Sequence, residues 1–262
     1  MEMSHPVPEP RVGLLGGTFN PVHTGHIRHA LEAGEALGLE LVLLTPAAVP
    51  PHKAAAGLLP FALRVEMARA AAQCGGARGA EKSAGGHVRL GVNTLEGELS
   101  GPSYTFVSLT AWRGRHPGVT PFFLMGVEDF TQLHTWRRGL ELPRLARLVV
   151  VSRAGGEREL FRRTLARCWP GAVSGDMRDA PHGAGGSASG PAPVPASGVE
   201  SARLPGGGVC YFVPAPRLDI SSSLVRERWM AGRDIRGLVP DAVRSIMESR
   251  RDEIRRIWAA PY

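Results

Sequence analysis

GGTFNPVHTGH, Gly16 to His26, is the stretch whose reading decides the fold. It follows a short apolar run, Arg11 to Leu15. It leads into Gly25 to Leu37, where Ile27, Ala30, Leu31 and Gly34 fall on one helical face. A buried strand therefore passes into a helix through two glycines, which let the backbone turn sharply and approach a ligand closely. The free N–H groups and dipole of such a helix start attract phosphate. His23 and His26 lie three residues apart across that entry, so both can face an anion bound there. The stretch is neither G-x-G-x-x-G nor a P-loop, because no G-K-[ST] follows.

Further along, the same alternation repeats. Leu41 to Leu44, His87 to Val92, Phe122 to Met125, Leu148 to Val151 and Val209 to Val213 read as short strands. Pro60 to Ala72 and Tyr104 to Trp112 read as helices between them. Short apolar strands alternating with helices predict a doubly wound parallel α/β sheet. Ligands of such sheets bind beyond the strands' carboxyl ends, where the strand order reverses.

The segment from 171 to 208 breaks the pattern, being rich in Gly, Ala, Pro and Ser with few apolar anchors. It is expected to be a disordered surface insertion in one domain spanning 11–258, because it has little apolar surface to offset the entropy of ordering. Cys74 to Gly86 reads as a smaller insertion of the same kind.

Composition narrows the function classes. In 262 residues with a formal net charge of +7, the basic excess is nearly all arginine, Lys53 and Lys82 being the lysines. The basic residues are spread along the chain without an aromatic-interleaved block. Anionic small substrates are therefore a better expectation than nucleic acid. No run approaches the roughly 18 apolar residues of a membrane span. The opening MEMSHPVPEPR lacks the apolar core of a signal peptide. Cys74, Cys168 and Cys210 are scattered and odd in number, which fits reduced thiols in a cytoplasm and no zinc site.

A second motif, Ile220-Ser221-Ser222-Ser223-Leu224-Val225-Arg226, places serines at a helix start and an arginine one turn on. Serine caps such a start, and its N–H groups together with the arginine suit polyphosphate. With His23-Thr24-Gly25-His26, this motif resembles the H-x-G-H nucleotidyltransferase superfamily. TPAAVPPHK (Thr45 to Lys53), PSYT (Pro102 to Thr105) and GVEDFTQLHTW (Gly126 to Trp136) are similar to stretches of the bacterial nicotinate mononucleotide adenylyltransferase family. LVVVSRAGG and LVPDAVRSIM stand at the expected later positions, and the resemblance covers Arg11 to about Arg153 and Val209 to about Met247.

The resemblance implies a Rossmann-like fold with a C-terminal helical segment, and a reaction of ATP with nicotinate mononucleotide giving deamido-NAD and pyrophosphate. His23, His26 and Arg226 are then the catalytic residues. Gly16, Gly17, Thr18, Phe19, His52, Lys53, Ser221, Ser222 and Ser223 are expected to hold ATP and its phosphates. Ser103, Tyr104, Thr105 and Trp136 form the acceptor site, Trp136 stacking on the pyridine ring. Either Glu128 or Asp129 accepts the ribose hydroxyls. Mg²⁺ is expected to ride on the ATP phosphates, without a carboxylate cage.

Four positions depart from the family pattern: Asn20 for a usual Asp, Glu128 where a G-x-D element has Asp (Asp129 comes next), Ser223 for Thr, and Arg137 where an aromatic is common. Two other readings stay open. One is a sister transferase for nicotinamide mononucleotide or phosphopantetheine. The other is a nonenzymatic nucleotide- or nucleic-acid-binding protein. Oligomeric state is not legible.

Overall fold

A computed structural model describes residues 10–51, 56–75, 88–152, 157–176 and 198–259. Its centre is an eight-stranded sheet. The strands are β1 (Val12–Gly17), β2 (Leu41–Pro46), β3 (Arg89–Val92), β4 (Phe122–Gly126), β5 (Arg147–Ser152), β6 (Val173–Asp176), β7 (Glu200–Arg203) and β8 (Val209–Pro214). Their spatial order is β3-β2-β1-β4-β5-β8-β7-β6. The first six in that order pair in parallel. The chain winds outward from β1 to β3, then returns to β4 on the other side. The order therefore reverses at β1 and β4, and a crevice opens past their carboxyl ends.

Alternation along the strands builds two cores, because successive side chains leave opposite faces of the sheet. Leu15, Val42, Leu124, Val149 and Val213 face one layer. There they meet α1 (Thr24–Leu37), α2 (Phe61–Gly75), α6 (Ser222–Met230), α7 (Asp241–Ser249) and α8 (Arg251–Trp258). Leu14, Phe123, Met125, Leu148 and Phe212 face the other. Their partners are α3 (Thr105–Arg115), α4 (Val127–Gln132) and α5 (Glu157–Cys168). Each fully buried Leu, Val or Phe contributes about 1.5–3 kcal/mol relative to exposure. That is why near-continuous apolar strands mark the centre of such a sheet. Gly38 ends α1 at φ 60°, a left-handed conformation that glycine adopts without a Cβ clash.

The expected parallel sheet is corrected at one edge. β6 and β7 are antiparallel to each other, and β7 is antiparallel to β8. Both strands lie in the segment expected to be a disordered insertion from 171 to 208, so that expectation fails at its two ends. Val199, Ala202 and Leu204 are buried there. The sequence Glu-Ser-Ala-Arg has poor strand propensity, and pairing with the otherwise open edge of β8 overrides it. Residues 177–197 of the segment lie outside the described residues. Cys74 belongs to α2, and 76–87 of the smaller insertion also lie outside. The helices α4 and α5 were not read from the sequence.

Candidate functional site

A cleft of about 380 Å³ opens at the switch point. Gly16, Gly17, Thr18 and His26 form one wall, while Ser103, Tyr104, Thr105 and Trp136 form another. Glu128 and Asp129, in the first turn of α4, also line it. Both ribose candidates thus reach the same space.

The floor of the first wall is built by close packing. Gly17 carries the ring of Phe19, and a Cβ on Gly17 would lie 2.9 Å from that ring. Phe19 is buried with φ 50°, a left-handed conformation rarely taken by an aromatic residue. Such backbone costs about 1–3 kcal/mol and persists where the surroundings hold it. Its ring meets His26 edge-on, with centroids 4.8 Å apart. His26 in turn stacks on buried His23 at 3.6 Å. The backbone N–H of His23 donates to Nδ1 of His26 at 3.2 Å. A neutral His26 ring must then carry its proton on Nε2, making that nitrogen a donor. His23 is the N-cap residue of α1.

The second motif meets the first across the whole chain. Ser222 Oγ donates to the carbonyl of Pro21 at 2.9 Å, and Arg226 Nη1 donates to the carbonyl of Asn20 at 2.8 Å. Ser221 Oγ caps α6 by accepting from the Leu224 N–H at 3.1 Å. Arg226 Nη2 reaches Ser223 Oγ at 3.1 Å. Thr24, the first residue of α1, donates its N–H to the carbonyl of Leu238 at 2.9 Å. The starts of α1 and α6 are thus brought together at the outer end of the glycine loop. Ser221, Ser222, Ser223 and Arg226 stand beside the cleft and not in its wall. His52 and Lys53 lie outside the described residues.

The Asn20 departure has a structural role. Its Nδ2 donates to the Gly57 carbonyl at 2.8 Å, and its Oδ1 accepts from the Leu59 N–H at 3.1 Å. This buried amide uses both a donor and an acceptor, which a carboxylate could not do.

Sequence reading missed Arg64. Its side chain is almost wholly buried, and burial pulls its pKa down to about 10. The guanidinium donates to the carbonyls of Leu59 (2.9 Å), Thr18 (2.8 Å), Ala47 (2.7 Å) and Ala48 (3.2 Å). It ties the glycine loop to the segment after β2. A charged position between Leu63 and Val65 was the only signal, and solvated helix charges usually look the same. Glu96 was missed too. Largely buried in the cleft wall, its carboxylate accepts from Ser108 Oγ on α3.

The switch-point cleft thus lies beside two helix starts gathered at a glycine loop. The chain matches the family described as Cytidylyltransferase-like over residues 14–228, and it belongs to that family. Within it, the chain is 32% identical over 249 residues to a probable nicotinate-nucleotide adenylyltransferase of Maridesulfovibrio salexigens. The match covers 95% of this chain and 99% of the relative. A protein of the same description from Pelobacter propionicus is 34% identical over 241 residues, covering 92% and 97% of the two chains.

Solved structures share the fold. A Plasmodium falciparum nicotinic acid mononucleotide adenylyltransferase complexed with NaAD matches with a TM-score of 0.57 at 16% identity, over 94% of this chain and 98% of that one. A putative nicotinate-nucleotide adenylyltransferase from Vibrio parahaemolyticus gives 0.54 at 14%, over 94% and 96%. Among the described residues, no helix is long and apolar enough to cross a membrane.

Proposed function

We propose that the protein transfers the adenylyl group of ATP to nicotinate mononucleotide, giving deamido-NAD and pyrophosphate in NAD biosynthesis. The observation that carries this reading is the hydrogen-bonded union of the two motifs at Asn20 and Pro21, beside a cleft whose far wall holds Tyr104 and Trp136.

An oxygen of the acceptor's 5′-phosphate attacks the α-phosphorus of ATP in line. One P–O bond forms, and the bond to the β-phosphate oxygen breaks, releasing pyrophosphate. The nucleophile is already an anion, so no general base is needed. Catalysis rests on orientation and on stabilising charge as it spreads over the phosphate oxygens. His26 donates from Nε2 to those oxygens, and His23 fixes the ring of His26 by stacking and by its backbone N–H. The backbone of Gly16 to Phe19 lets phosphate approach, while Ser221, Ser222, Ser223, Arg226, His52 and Lys53 hold the polyphosphate. Trp136 stacks on the pyridine ring, Ser103 to Thr105 border it, and Glu128 or Asp129 takes the ribose hydroxyls.

When bound, Mg²⁺ supplies charge neutralisation on the phosphates. On this reading Mg²⁺ would be held mainly by the ATP phosphates and water, not by a carboxylate cage. The single-domain reading, 11–258, and a cytoplasmic setting in which Cys74, Cys168 and Cys210 stay thiols complete the proposal.

The test is pyrophosphate release from ATP with nicotinate mononucleotide, nicotinamide mononucleotide and phosphopantetheine as acceptors. Highest kcat/KM with the first is expected. Preference for either other acceptor identifies a sister transferase, and no release with any of them defeats the reading.

A further inference from the structure

The cleft wall carries four carboxylates, those of Glu96, Glu128, Asp129 and Glu157. Among the described residues, Arg137 is the one arginine or lysine that lines it. Its guanidinium lies over the Tyr104 ring, 4.9 Å from the centroid. Within the described residues it forms no ion pair, whereas its neighbour Arg138 is engaged by Glu141 at 2.7 Å. Arg137 is therefore an exposed cation held on an aromatic face and adjacent in sequence to Trp136, at the wall assigned above to the acceptor's ring.

A cation in that place has a chemical consequence. Backbone N–H groups donate to an amide oxygen and a carboxylate oxygen alike, so they discriminate weakly between the two. A guanidinium favours the carboxylate by its charge and can bind it through two parallel hydrogen bonds. The surrounding carboxylates would repel an acidic ring unless a cation met it.

We propose that Arg137, held on Tyr104 beside Trp136, is a specificity-determining residue that pairs with the carboxylate on the acceptor's aromatic ring. This rests on the adenylyl-transfer reading above, and it gives a role to the residue that departs from the usual aromatic.

The test compares nicotinate and nicotinamide mononucleotide, which differ in the ring substituent and share the phosphate. For wild type, Arg137→Lys and Arg137→Met, kcat/KM is measured with each acceptor, and calorimetric titration gives each Kd without turnover. Charge-assisted hydrogen bonds of this kind correspond to a loss of about tenfold or more. Arg137→Met is expected to lose that factor for the nicotinate form alone, with unchanged KM for ATP, and Arg137→Lys to recover part of it. Equal losses with both acceptors would show that Arg137 binds the shared phosphate and would overturn the proposal. An unchanged ratio would overturn it too. Absence of turnover in wild type would defeat the adenylyl-transfer reading, while the ratio of the two Kd values still decides the role of Arg137.

Discussion

Arg226 Nη1 donates to the backbone carbonyl of Asn20 at 2.8 Å, joining residues 206 positions apart. The same guanidinium reaches Ser223 Oγ, so it spans the start of α6 and the glycine loop together. Arg226→Ala should lower kcat/KM about 100-fold or more by removing a phosphate donor and loosening that junction. Arg226→Lys should fall between, because one ammonium lacks the planar fork that makes both contacts. Steady-state kinetics with ATP varied checks this, and an alanine variant keeping over half of wild-type kcat/KM refutes it.

His26 stands where Phe19, His23 and the first turn of α1 converge. His26→Ala should reduce turnover by about 100- to 1,000-fold, the usual cost of one preorganised donor. A melting curve alongside the kinetics separates chemistry from folding. Retention of more than half the wild-type kcat with normal melting rules out the catalytic role.

Asn20 satisfies one carbonyl and one N–H of the segment that precedes α2. Asn20→Asp keeps the shape but places a carboxylate oxygen against the Gly57 carbonyl. A loss of about 1–3 kcal/mol is expected from the unsatisfied acceptor and the repulsion. Urea unfolding at pH 7 measures it, and an unchanged midpoint would show that the loop relaxes away.

Glu200 on β7 is bonded by Arg158 and Arg162 of α5, the Arg162 contact being 2.7 Å. Burial raises its pKa, but the hydrogen bonds from Arg162 and Arg158 outweigh this and leave it below the usual 4.5. A carboxyl with a depressed folded pKa stabilises above its unfolded value, and the gain is lost as pH falls through the folded one. Glu200→Gln should therefore be less stable than wild type at pH 7, with the gap closing below about pH 4.5. A gap of equal size at pH 7 and pH 3 contradicts this.

The pairing of Asp176 with Glu200 sets how far the intervening segment can be shortened. Replacing 178–196 with a four-residue Gly/Ser turn should leave folding and activity nearly unchanged. Loop closure of that difference is worth only about 1 kcal/mol. Excising 175–206 instead removes β7 with buried Ala202 and Leu204, and should destabilise the sheet edge. Equal tolerance of both excisions would show that β6 and β7 contribute nothing to stability.

By itself, the sequence determined the parallel core and the place of the site. Strands buried on both faces read as apolar runs, and the glycines ending β1 mark a switch point through local backbone chemistry. The two motifs, at Gly16–His26 and Ile220–Arg226, were legible for the same reason: a helix start announces itself in neighbouring residues. The tertiary structure decided what depends on distant partners. Glu-Ser-Ala-Arg became β7 because the edge of β8 was open beside it. Arg64 became a buried clasp because four carbonyls from three separate segments converge on it. Arg137 reached the cleft because chain folding set Tyr104 under its guanidinium. Local propensity carries no information about such convergence, since hydrogen bonds and ring contacts between remote residues are fixed only when the layers pack.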